Sequence, residues 1–154
     1  MRLTYLRRRL TLRERGDTIV EVLIAIAVVS MVLGGAYVTT NRSLLSARDA
    51  QERAIALKLT ESQIEQLKGI VTDNPNAIFG PGAPTKFCAT SPTSIADSAN
   101  AACTVDSSGS ATAVEPAFHL SITRSGNSFT VVNQWANVRG HVTNNIQMKY
   151  RTYQ

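Results

Sequence analysis

Before position 75 the chain contains no proline; its five prolines lie at 75, 81, 84, 92 and 116. Nothing of that kind can therefore break a helix in the first half. Cysteine is nearly as scarce, with only Cys88 and Cys103, and neither lies where an N-terminal lipid anchor would need it. Two isolated thiols with no histidine beside them do not make a metal-ligand set, and neither a metal nor a cofactor is expected. The two histidines, His119 and His141, have no cysteine or acid at catalytic or ligand spacing and read as surface residues. The chain also lacks G-x-S-x-G, C-x-x-C and a phosphate-cradling glycine loop. Enzymatic activity is not expected.

A surplus of positive charge is missing too, once position is considered. The formal charge is +5, but residues 1–16 hold six arginines and one acid, Glu14, which leaves ten bases and ten acids in 17–154. Beyond the first sixteen residues there is no net charge with which to hold a phosphate backbone, so direct nucleic-acid binding is not expected.

What the chain does have is one long apolar run. Ile19–Val38 reads IVEVLIAIAVVSMVLGGAYV, with Glu21 as its one charged residue. Twenty residues at about 1.5 Å each cover the ~30 Å hydrocarbon core of a bilayer. The arginines before the run and the neutral Thr39-Thr40-Asn41 after it predict a single pass with the N-terminus in the cytoplasm. An ordinary secretory signal would have a shorter apolar core and no acid near its start. The Arg7-Arg8-Arg9 triplet fits a twin-arginine signal, and equally any positive-inside flank. Glu21 has two readings. Thr18-x-x-Glu21 spells a capping box at a helix start; alternatively, the carboxylate awaits a cation from another copy of the chain.

The stretch Gly16-Asp17-Thr18-Ile19-Val20-Glu21-Val22-Leu23-Ile24-Ala25 resembles the class III signal of type IV pilins and pseudopilins. The shared features are a short basic leader ending in glycine, a threonine, aliphatic residues, a glutamate fifth in the mature chain and a long apolar helix. The segment Ala54–Lys68 is similar to that of minor pilins. The resemblance implies a structural subunit, a minor pilin or pseudopilin, cut by prepilin peptidase between Gly16 and Asp17. It further implies that Glu21 pairs with the amine freed at Asp17 of a neighbouring subunit. The implied partners are other pilin subunits, the peptidase, an inner-membrane assembly platform and membrane lipid. The implied location is the cell membrane, then a filament. One position departs: Asp17 stands where the family places a hydrophobic first residue. The alternative is a monomeric membrane-anchored or secreted binding module, with its signal uncleaved or ordinarily cleaved.

The remaining pattern predicts an α+β chain in which the long N-terminal helix packs on a small C-terminal antiparallel sheet. The leader is 1–16, the transmembrane and assembly half of the helix 17–40, and its amphipathic half 41–71. In that second half Ala47, Ala50, Ala54, Leu57, Ile64, Leu67 and Val71 form a stripe at three-four spacing, interrupted at Thr60-Glu61. Residues 72–116, rich in Pro, Ser and Ala, read as a connection with little regular structure. In an exported chain, Cys88 and Cys103 within it read as a disulfide. From 117 to 154 the period becomes two, and Phe118-x-Leu120-x-Ile122, the turn Ser125-Gly126-Asn127 and Ile146-x-Met148-x-Tyr150 predict three or four strands.

Overall fold

The computed structural model describes residues 17–112, 116–136 and 143–153. The chain divides into two compact units, 1–44 and 45–154. Helix α1, Asp17–Asp73, supplies residues to both. It ends where the sequence first offers a proline: the Asn74 amide still bonds to Ile70 O at 2.8 Å, but Pro75 has no amide to continue the ladder. A single turn, α2 (Asn76–Phe79), follows.

In the second unit six strands form one antiparallel sheet: β1 Lys86–Ser91, β2 Ser94–Asp97, β3 Thr104–Val105, β4 Phe118–Ser125, β5 Ser128–Ala136 and β6 Thr143–Arg151. The order is β2-β1-β4-β5-β6, with β3 paired to β4. The short strands β1 and β3 share one flank of β4, since β1 pairs with Ile122 and Thr123 while β3 pairs with Phe118 and His119. The β4–β5 hairpin turns on Gly126 at φ +61°, a left-handed conformation that glycine adopts without steric cost, and Ser125 pairs with Ser128 across it. Along β5 burial alternates as the period predicts, with Phe129, Val131, Asn133 and Trp135 inward.

This architecture is the α+β arrangement that the patterning predicts, with two differences. First, β1, β2 and β3 arise inside the segment that reads as an irregular connection. Their sequences, KFCATS, SIAD and TV, are short and rich in small and hydroxyl residues, so they carry little period-two contrast. The Cys88–Cys103 disulfide ties β1 to the 3-10 turn Ala101–Cys103 that leads into β3, and both cysteines are buried.

Second, the buried line of α1 is Ala56, Leu59, Thr60, Gln63, Leu67 and Ile70. Of the expected stripe only Leu67 is fully buried; Ile64 and Val71 are half-buried, Ala54 is exposed and Leu57 is 41% exposed. The polar residues that look like an interruption are the middle of the buried face. They separate two apolar clusters. One gathers Ala56, Leu59, the disulfide, Val105, Phe118, Leu120 and Trp135; the other gathers Leu67, Ile70, Ile78, Phe87, Ala89, Ile122, Phe129 and Val131.

Between the clusters, Thr60, Gln63 and Asn133 form a hydrogen-bonded belt. Thr60 Oγ1 and Asn133 Nδ2 both donate to Ala56 O, at 2.7 and 3.0 Å. Gln63 Oε1 accepts from the Ala89 amide at 2.9 Å, and Gln63 Nε2 donates to Ala89 O at 2.8 Å. The β1–β4 ladder extends only over Lys86 and Phe87. At Ala89 the Gln63 side chain supplies the acceptor and donor that a longer ladder would.

Exposed polar contacts are local. Asp106 Oδ1 accepts from Ser108 Oγ at 2.6 Å and from the amides of Ser108 and Ser110 at 2.8 and 3.1 Å. The Ser108 hydroxyl bond, followed by the backbone bonds, holds the Asp106 carboxyl below its usual range. Lys68 lies 2.7 Å from Glu65, the one ion pair among the described residues, and that hydrogen bond raises its pKa.

Replacing Gln63 with Leu leaves two buried backbone groups without partners, at about 1–3 kcal/mol each. Thermal unfolding followed by Trp135 fluorescence should show a markedly lower midpoint, whereas Gln66→Leu nearby should change it little. Reducing the disulfide, which closes a fifteen-residue separation, should cost about 3 kcal/mol by loop-closure entropy. A carboxyl held low contributes order above its ordinary pKa and loses it as pH falls through the lowered value. The amide resonances of Ser108 and Ser110 should accordingly stay fixed at neutral pH and move only in acid, below about 4.

Candidate functional site: the N-terminal apolar segment

In the first unit, α1 is apolar on every side over residues 19–38, apart from Glu21 near the start and Ser30. No residue of its most apolar window is buried. Exposure runs from 50% at Val38 to 80% at Met31, with Ile19, Leu23, Ile24 and Leu33 between. A helix apolar all round requires an apolar environment on all sides, and this one is long enough to cross a membrane.

Within the run, Glu21 is exposed and has no ion-pair partner among the described residues. The described part of α1 starts at Asp17, so the capping-box reading of Thr18 and Glu21 falls at the edge of the described residues. Gly16 and the basic leader lie outside the described residues. At the far end, Thr39 Oγ1 donates to Gly35 O and Thr40 Oγ1 to Ala36 O, each at 2.9 Å. Both hydroxyls are thus satisfied inside the helix. The helix passes through Gly34-Gly35 unbroken, and a Cβ at either would meet no other atom within 4 Å.

The other residues singled out in the sequence lie in the second unit. Cys88 and Cys103 are bonded to each other. His119 is half-buried, with Nδ1 3.2 Å from Thr104 Oγ1; His141 lies outside the described residues. No group of three or more His, Cys, Asp or Glu suited to a metal occurs among the described residues. The belt residues Thr60, Gln63 and Asn133 are missed by a reading that counts only apolar positions. Their signal is spacing: Ala56, Thr60, Gln63, Leu67 and Ile70 keep the three-four rhythm.

A long apolar N-terminal helix followed by a small antiparallel sheet fits a membrane-anchored α+β protein, here with a single acid near the start of the apolar segment. The family model described as the prokaryotic N-terminal methylation motif matches residues 12–37. That match supports a type IV pilin- or pseudopilin-like family for the chain and a type IV pilin-like precursor as its product. No curated protein and no solved structure matches it.

A charge in the middle of this segment tests its membrane role. Val29→Arg should cost about 2.5–3.5 kcal/mol of insertion free energy and shift the protein out of the alkali-resistant membrane fraction. Glu61→Arg, on the exposed side of α1 in the second unit, should leave fractionation unchanged.

Proposed function

We propose that the protein is a minor pilin or pseudopilin, a structural subunit of a type IV pilus-like filament. The precursor is cut by prepilin peptidase between Gly16 and Asp17 on the cytoplasmic face. It is held as a single pass with residues after Val38 outside, and it is drawn by an inner-membrane assembly platform into a filament of like subunits.

The observation that carries this reading is the lone carboxylate of Glu21 on a fully exposed apolar helix, within the matched motif. In a bilayer the group lies near the interface and keeps some water. Packed among other helices it loses that water, and a buried charge whose partner is missing costs about 3–5 kcal/mol. Pairing with the amine at residue 17 of a neighbour removes the penalty only at one axial stagger, so Glu21 sets register. Asp17 places a second carboxylate beside that amine, which competes for the same positive charge and departs from the usual substrate for N-methylation.

Intact-mass analysis and N-terminal sequencing of the mature protein should show Asp17 first, and the mass records whether its amine is methylated. Met1, or a residue near Tyr37, at the N-terminus would instead favour the monomeric anchored or secreted module. Glu21→Ala should still enter the membrane but be depleted from sheared filaments by tenfold or more; normal incorporation would overturn the register role.

A further inference from the structure

The sheet of the second unit has two edges, and they are built differently. At one edge β2 is four residues long, and the β1–β2 register slips between Ala89 and Ser91. A short edge with an irregular register is a poor template for another strand. At the other edge β6 pairs all nine of its residues with β5, one for one and without a slip. Among the described residues no strand pairs with its outer side. Antiparallel pairing directs every second residue's amide and carbonyl away from the neighbour, so about four residues of β6 present both groups outward. Of the usual guards on an edge, β6 has neither a proline, nor a bulge, nor an inward-pointing charge.

Register sorts the side chains of β6 into two rows. Asn144, Ile146, Met148 and Tyr150 stand opposite the inward row of β5 and share its face. The inward row of β5 is buried, but these four are only half-buried, so the cover that the rest of the chain provides thins out at this edge. By Tyr150, Lys68 lies 5.7 Å from the ring centroid and holds Glu65. On the opposite face Asn145, Gln147, Lys149 and Arg151 are exposed. Strands β4, β5 and β6 contain no acid, and neither Lys149 nor Arg151 makes an ion pair among the described residues. Arg151 lies 5.7 Å from the centroid of the exposed Tyr153 ring, a contact that leaves its charge unneutralised.

We propose that the open edge of β6 takes up, as an added strand, an extended peptide in which apolar and acidic residues alternate. The peptide backbone pairs with the outward amides and carbonyls of β6, which supplies the affinity. Its apolar side chains lie beside Ile146 and Met148 and restore the missing cover, while its acids lie beside Lys149 and Arg151. Those two cations are two positions apart on one face, which matches the period of the acids. A second copy of this chain is the poorer occupant, because its own β6 brings the same cations and no acid. The surface goes beyond the filament reading and does not depend on it; a monomeric anchored protein would carry it equally.

The test is fluorescence anisotropy of a short dye-labelled peptide alternating valine and glutamate, titrated with the full-length protein in nonionic detergent micelles. The signal should rise to saturation, whereas a valine–lysine peptide should give no such rise. Lys149→Glu together with Arg151→Glu should weaken binding about tenfold or more and admit the valine–lysine peptide instead. Arg48→Glu together with Lys58→Glu, the same charge change at exposed positions of α1, should do neither. With the unaltered protein, methylating the backbone nitrogens of either the valines or the glutamates removes the donors along one edge of the peptide. One of these two peptides should lose binding and the other keep it, since only one edge faces β6. The proposal fails if the valine–glutamate peptide shows no saturable binding up to its solubility limit, or if the two methylated peptides do not differ. A disulfide between copies of Gln147→Cys that the peptide fails to suppress would give the edge to a second copy and overturn the proposal.

Discussion

One unbroken run of backbone hydrogen bonds, from Asp17 to Asp73, has to satisfy two different surroundings. Over residues 19–38 every direction around the axis is apolar, whereas from Ala56 to Ile70 a single line of residues is buried and the rest is solvated. The helix itself makes no distinction between the two stretches; its side chains do. What the chain can do follows from that division, because a segment apolar all round must be covered by lipid or by other chains. A segment with one buried line needs only the sheet that the same chain provides.

Within the second unit, specificity rests on a polar belt. Two apolar clusters alone would tolerate sliding of the helix along the sheet, since apolar contact is not directional. Gln63 removes that freedom by matching both backbone groups of Ala89, and Asn133 adds a bond to Ala56 O from β5. A shift of one residue in either direction would leave these groups unpaired in a region without water. The belt thus does for the helix-on-sheet packing what a backbone ladder does between strands: it specifies a register.

Much of this is legible in the amino-acid order, and the parts that are not share a cause. The apolar run, its flanking arginines, Glu21 and the Gly16-Asp17 junction are all local patterns, readable within the first thirty-eight residues. The helix end at Pro75 and the Ser125-Gly126-Asn127-Ser128 turn are equally local. The strands KFCATS and SIAD are obscured because small hydroxyl residues look alike in a strand and in a loop. The buried line of α1 is obscured because Thr60 and Gln63 are polar, and only the position of Ala89 shows why a glutamine belongs inside. The cleft that Asp49 and Arg53 line together with Trp135 is least legible of all, since the two lie more than eighty residues before Trp135.

The threonines that close the apolar run have a consequence for movement between media. Because Thr39 and Thr40 bond to carbonyls of their own helix, their hydroxyls ask nothing of whatever surrounds them. Passing from lipid to a wall of side chains would neither make nor break a polar contact at that end. The segment is portable there, and its demands on a new environment are concentrated at the opposite end, about five turns away.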